Sequence, residues 1–219
     1  MPQRSQMLLE PRKSPVQARS AASVDAILEA TIQVLLAVGK EGLTTTRVAL
    51  RAGVSVGTLY QYFPNKSALL QAALRRHLEE VMEAVEEVCR EQRGNSLREM
   101  ATAVINAFLH AKMRDAKTSV ALYSVSSDVD GAKIVQQTGV RFNKAVVGML
   151  ATAREPLTND PQLVAWMMQS AMAGVSRRLL ESGAPEKHFD MLREELIFFV
   201  SAYLEARSTR RSRPLRREE

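Results

Sequence analysis

Apolar side chains recur along most of this chain at the three-to-four-residue spacing of a helix, and no stretch alternates as a strand would. From a start at Ser20 or Ser23, Val24, Ile27, Leu28, Thr31, Val34, Leu35 and Val38 share one stripe, and Gly39 supplies a stop. Thr44 can cap a short helix whose apolar face is Val48, Ala49 and Ala52, ending at Gly53. Ser55 can cap another, roughly Val56 to Tyr62, which Pro64 ends. Asn65 then opens a long helix over Lys66 to Glu91, with Leu70, Leu74, Leu78, Val81, Val85 and Val88 along one side. Ser96 and Glu99 have the spacing of a capping box and open a helix through Val104, Phe108 and Lys112. Further helices are predicted over Lys117 to Val125 and over Lys133 to Arg154, with a break at Asp128 to Gly131. One more runs from Pro161 to Ser182, after Asn159 and Asp160, and the last from Pro185 to Glu205. The expectation is an all-α fold of about nine helices.

Composition supports helix over sheet. Of 219 residues, 46% are apolar and only 5% aromatic, and the abundant Ala, Leu, Met, Glu and Arg lose little rotamer freedom in helices. Cys89 is the sole cysteine, which excludes an intrachain disulfide and a thiolate metal site and suits a reducing, cytoplasmic setting. Met1 to Ser20 is polar and Pro-bearing, unlike a targeting segment. The densest apolar stretch, Leu196 to Leu204, falls short of the ~20 residues that span a bilayer, so no membrane partner is expected.

Charge is unevenly placed. Residues 1–66 carry 8 Lys and Arg against 4 Asp and Glu, residues 67–206 carry 16 against 18, and residues 207–219 carry 6 against 2. Both ends are therefore attractive to phosphate and the middle is not. The ends read as a flexible basic arm over residues 1–19 and a disordered Arg-rich tail over 207–219.

The stretch from Thr44 to Lys66 carries the chemistry. Two short helices joined by a tight turn at Gly53 make a helix-turn-helix. Gly53 tolerates the positive φ of such a turn, small Ala49 and Ala52 allow close approach, and Val48, Val54, Leu59 and Phe63 can lock the pair to the first helix. Thr44, Thr45, Ser55, Thr58, Tyr60, Gln61 and Tyr62 supply the short donors, acceptors and flat rings that suit phosphates and base edges. Tyr60 and Tyr62, two residues apart, cannot both be fully exposed, so Gln61 between them is the better base-contact candidate. Lys66 opposes the dipole of the helix it opens, and a phosphate there would reverse the sign. Arg47 and Arg51 read as solvated surface.

This stretch resembles the DNA-binding domain of the TetR family of bacterial regulators. The family's Ala-Gly-Val-Ser, Gly-Thr-Leu-Tyr, Tyr-Phe and Lys are met by Ala52 to Ser55, Gly57 to Tyr60, Tyr62-Phe63 and Lys66, and its earlier Ile-Leu and Thr-Thr by Ile27-Leu28 and Thr44-Thr45. Val48 and Ser67 stand where Ile and Glu are commoner. The resemblance implies that Val56, Gly57, Thr58, Tyr60, Gln61 and Tyr62 enter the major groove and that Thr45 and Lys66 bind phosphate. It also implies a homodimer on an inverted-repeat operator, with readers ~34–36 Å apart.

On this reading residues 20–66 form the DNA-binding domain and residues 67–206 a helical ligand-binding and dimerisation domain. The resemblance implies a dimer interface on the last two helices, for which Met172, Leu179, Leu192, Leu196, Phe199, Val200 and Tyr203 are candidates. Leu196 to Val200 is apolar all round, which calls for a second packing surface. It also implies a cavity for a small effector. Candidate lining residues are Phe108, Met113, Tyr123, Phe142, Met149, Trp166 and Met168, which would favour an apolar or cationic-aromatic molecule, with Trp166 as a stacking platform. His77, His110 and His188 have no metal-ligand spacing, Cys89 reads as a buried small residue, and no cofactor or enzymatic constellation is expected. The expected function is a sequence-specific repressor released by its effector. The alternatives are a ligand-independent architectural or partner-regulated DNA binder, an enzyme that has kept a helix-turn-helix, and a general nucleic-acid binder using the tail.

Overall fold

The computed structural model describes residues 15–208, apart from the side chains of residues 15–19 and of Asp128. Most of the arm expected over residues 1–19 and of the tail expected over residues 207–219 lies outside the described residues. Nine α-helices occur among the described residues: α1 (Pro15–Gly42), α2 (Thr45–Ala52), α3 (Val56–Tyr62), α4 (Lys66–Glu91), α5 (Leu97–Met113), α6 (Ala116–Val125), α7 (Gly131–Leu150), α8 (Pro161–Glu181) and α9 (Pro185–Ala206). The chain divides into two compact units, Met1–Ala73 and Leu74–Glu219, with the boundary inside α4.

Two expected helix limits are corrected. α1 begins at Pro15 rather than at a Ser20 or Ser23 cap, because proline suits a first helical turn and Gln17, Ala18, Arg19, Ala21 and Ala22 are good helix formers. α7 ends at Leu150 rather than Arg154. There Arg154 turns back, its backbone N–H donating to the Asn95 carbonyl at 3.0 Å and its Nε to the Gly94 carbonyl at 3.1 Å.

In the first unit, α1 presents Ile27, Leu28, Ala30, Thr31, Val34 and Leu35 as a buried stripe. Val48 and Ala49 of α2, Leu59 of α3, Phe63, and Leu69, Leu70 and Ala73 of α4 complete the core. The segment Ser20–Gly42 is, by length and composition alone, apolar enough to cross a membrane, which corrects the expectation that no such stretch exists. Its buried side is the one that packs on α2.

In the second unit, α5 lies along α9, α8 packs on both α7 and α9, and α6 packs on α5 and α8. Met100, Val104, Ile105 and Leu109 of α5 centre a core shared with Phe142, Val146 and Met149 of α7, Val164 and Met168 of α8, and Leu196, Val200 and Leu204 of α9. The α7–α8 connection is fastened at both ends: Glu155 accepts from the Leu97 N–H at 3.0 Å, and the Thr158 N–H donates to the Arg207 carbonyl at 2.7 Å.

Candidate nucleic-acid interface and ligand cavity

The turn between α2 and α3 is built from local chemistry. The Thr44 hydroxyl caps α2 by accepting from the Arg47 N–H at 3.2 Å, and the Ser55 hydroxyl caps α3 by accepting from the Thr58 N–H at 2.9 Å. Gly53 takes φ 69 and ψ 27, the left-handed conformation that ends α2, and its N–H returns to the carbonyls of Ala49 and Leu50.

α3 then divides cleanly. Leu59, with Phe63 just beyond the helix, points into the core, while Val56, Gly57, Tyr60 and Gln61 are exposed and Thr58 and Tyr62 are half-buried. A Cβ at Gly57 would meet nothing nearer than the Ser55 hydroxyl, at 3.7 Å, so the surface beside Gln61 is open. Tyr60 shares a hydrogen bond with Thr45 at 3.1 Å, which fixes a phenol and a hydroxyl together at the edge of the reader.

Three cations near the reader are already engaged. Arg47 Nη1 donates to the Gly42 carbonyl at 2.7 Å and Arg51 Nε to Gln33 Oε1 at 2.6 Å. The Lys66 ammonium donates to the Lys40 carbonyl, where a cation meets carbonyls left free at the end of a helix. That bond gives the residue a structural role that its place at the start of α4 did not suggest, and leaves two of its three donors for other partners.

The second unit holds a partly open cavity of about 540 Å³. Its wall comes from Leu74, His77, Leu78 and Met82 of α4, Phe108 and Lys112 of α5, Ser119, Leu122 and Tyr123 of α6, and further residues of α7 and α8. Of the seven residues expected to line it, Phe108, Tyr123 and Phe142 do so. Met149 and Met168 are closed inside the protomer core, Met113 lies outside the wall, and Trp166 is 55% exposed on the outer side of α8. The Trp166 stacking platform is therefore corrected: the residue does not reach the cavity.

Two hydrogen-bonded groups lie in and beside the wall, whose further polar residues are Ser126, Ser127, Thr138, Gln169 and Ser176. Ser119 donates its hydroxyl proton to the Lys112 carbonyl at 2.5 Å and lies 3.0 Å from His77 Nε2. Its one proton is thus committed, so His77 Nε2–H is the donor to Ser119. Burial and the nearby Lys112 charge push His77 down to about 4. Burial also pushes the Lys112 ammonium down to about 8. In the second group, Glu181 accepts from the Tyr123 hydroxyl at 2.8 Å and from Arg177 Nε at 2.9 Å. These bonds hold its carboxyl below the usual range, Tyr123 contributing most. Among the described side chains no Asp or Glu lines the cavity, so a cationic-aromatic ligand finds no counter-charge among them.

Of the expected interface residues, Met172, Leu179, Leu196 and Val200 are buried within the protomer, and Met172 also lines the cavity. A side chain already buried gains nothing further from a partner, so these four are corrected to core. Leu192 and Tyr203 are half-buried, and Phe199 is 59% exposed. Leu163, Trp166 and Met167 on α8 and Met191 and Phe198 on α9 are exposed as well. Of this exposed set the sequence analysis names only Phe199 as an interface residue, because apolar periodicity marks both sides of these helices alike.

Among the described residues, no group of three His, Cys, Asp or Glu side chains is placed to hold a metal ion. Cys89 is buried, and desolvation pushes its thiol up to about 12.

Known proteins resemble both units. A family model for bacterial regulatory proteins of the tetR family matches residues 27–73, and one for a tetracyclin repressor-like C-terminal domain matches residues 96–204. The HTH-type transcriptional repressor KstR of Rhodococcus jostii is 29% identical over 168 residues, which cover 70% of this chain and 77% of that protein. The HTH-type transcriptional regulator BetI 1 of Chromohalobacter salexigens is 36% identical over 119 residues, covering 53% of this chain and 58% of that protein. A crystal structure assigned to the TetR family, from Mesorhizobium loti, superposes with a TM-score of 0.73 at 17% identity, over 87% of this chain and 99% of that one. That last likeness bears on the fold.

Proposed function

The chain belongs to the TetR family of bacterial regulators and is a DNA-binding transcriptional regulator, and we propose that it represses by binding an inverted repeat as a homodimer and is released by a small molecule. The observation that carries the reading is the division of α3: one face is locked into the core by Leu59, and the other leaves Val56, Gly57, Tyr60 and Gln61 uncovered. A rigid helix with an open face and a short amide side chain is what major-groove readout needs. Thr44, Thr45, Ser55, Thr58 and Tyr62 border that face, and Lys66 keeps donors for a phosphate.

The homodimer is assigned to the exposed face of α8 and α9, with Trp166, Phe198 and Phe199 as its aromatic anchors. Effector control is favoured over the ligand-independent reading by the cavity, whose volume lies in the range of small-molecule sites. One helix, α4, carries Lys66 at its first residue and Leu74, His77, Leu78 and Met82 in the cavity wall. An effector that prefers one α4 setting lowers operator affinity by its differential binding to the two settings. The protein acts in the cytoplasm, by binding and not by catalysis.

Titration of the full-length protein on its own upstream DNA tests the reading. Gln61→Ala should cost about 1–3 kcal/mol on the best site and relax preference at one base pair in each half-site. Equal binding of wild type and variant to every duplex would overturn it.

A further inference from the structure

The cavity wall holds three nitrogen bases, and two of them are accounted for. His77 is neutral and donates to Ser119. Arg177 is paired with Glu181, whose carboxylate also accepts a hydrogen bond from the Tyr123 hydroxyl. Lys112 is different. Its carbonyl accepts from Ser119, but among the described residues its ammonium has no carboxylate within ion-pair distance. It sits one turn beyond Phe108 on the same side of α5, in a wall whose exposed surface is mostly apolar. A desolvated cation with no counter-ion is costly in such surroundings. Its depressed proton affinity, about 8, is the mark of that cost.

We propose that the cavity receives an amphipathic organic acid, its carboxylate paired with the Lys112 ammonium and its apolar body lying along Leu74, Leu78, Phe108, Leu122, Phe142 and Met172. The inference rests on the effector-cavity reading above and narrows it. A carboxylate supplies the missing charge, and the mostly apolar surface of the wall accepts a chain or fused rings. Amines are disfavoured, because the Lys112 ammonium repels them and no acid among the described side chains of the wall receives them. The competing role for Lys112 is to complement the dipole at the end of α5, where it lies in the last turn. That role needs no ligand.

Calorimetric titration of the full-length protein with decanoate, decanol and decylammonium separates these possibilities. Decanoate should bind wild type more tightly than decanol by about tenfold or more, the size of one charge-assisted hydrogen bond, and decylammonium most weakly. Lys112→Met should bring decanoate and decanol to within about twofold of each other while decanol affinity holds, and Lys112→Arg should keep the preference. Lys112→Met should also leave melting temperature unchanged or raised without ligand, since it removes an uncompensated charge; a fall would favour the dipole role and count against the proposal. Decanol binding as tightly as decanoate, or decanoate binding unaltered by Lys112→Met, overturns the proposal and leaves the cavity reading standing. Binding of none of the three overturns both.

Discussion

In the first unit the stripe of α1 and the inner faces of α2, α3 and α4 close on one another, and the polar groups around the turn find partners within a few residues: Ser55 with Thr58, Thr44 with Arg47, Asn65 with the Ala68 N–H at 2.8 Å. In the second unit the helices leave a partly open cavity of about 540 Å³ between them, and one face of α8 and α9 leaves Trp166, Phe198 and Phe199 in solvent. The first unit closes its core around the turn and presents the outer face of α3, although Leu36, Val38 and Leu50 are exposed as well. The second has demands on both its inside and its outside that its own chain does not meet, which is what a unit built for a ligand and a second protomer requires.

The largest effect expected from breaking that contrast lies in the closed unit. Leu59 is fully buried at the junction of α3 with the core, so Leu59→Ala should cost about 2–5 kcal/mol. DNA binding should vanish and an early unfolding phase appear by circular dichroism, while the mass in solution stays that of wild type. Intact operator binding would show that the junction is looser than its burial implies.

Next comes the open face. Phe198 is 68% exposed, so Phe198→Asp should barely alter the folded protomer. Across a dimer interface the same change should cost about 2 kcal/mol or more. Light scattering should report a smaller particle, and operator binding should weaken with it. A variant that remains a dimer would move the interface elsewhere.

The cavity sets a pH limit on the second unit. His77 is held neutral, down to about 4 from an ordinary 6.5. Between those values the unfolded chain binds the proton and the folded one does not. Stability therefore rises with pH across that window and falls on acidification. Between pH 6.5 and about pH 5 the loss should be on the order of 1–2 kcal/mol. His77→Gln, followed by thermal unfolding at several pH values, should flatten this part of the curve. Glu181 and Asp115 have lowered values and lose their contribution in the more acidic range, so they do not mask it. An unchanged slope in the variant would show that His77 is not desolvated.

How much of this was legible in the chain differs between the units for a physical reason. Thr44, Ser55, Asn65 and Ser96 act on N–H groups two or three residues away, so their caps can be read from spacing alone, and the helix limits follow. Gly53 is equally local. The cavity is not local: Phe108, Tyr123, Phe142 and Met172 come from four helices, and apolar periodicity looks the same beside a void as beside a filled core. Met149 and Met168 resemble lining residues and are core, while Trp166 faces outward because its position on α8 lies opposite buried Val164 and Met168. Lys112 leaves a local trace, a cation one turn beyond Phe108 and Leu109 on α5.

The smallest effect separates stability from recognition at a single residue. Ser55 caps α3 through its hydroxyl and is also exposed on the proposed reader. Ser55→Ala removes the cap and should cost about 1 kcal/mol. Asp is as good a cap as Ser, and its charge suits a helix start, so Ser55→Asp should unfold at or above the wild-type temperature. The same carboxylate would face the phosphate backbone if α3 lies in the major groove. DNA affinity should then fall in Ser55→Asp more than in Ser55→Ala, although the aspartate variant is the more stable protein. If affinity instead tracks stability through both variants, Ser55 serves only the fold, and the nearest DNA contacts must be sought farther along α3, at Gln61 and Tyr60.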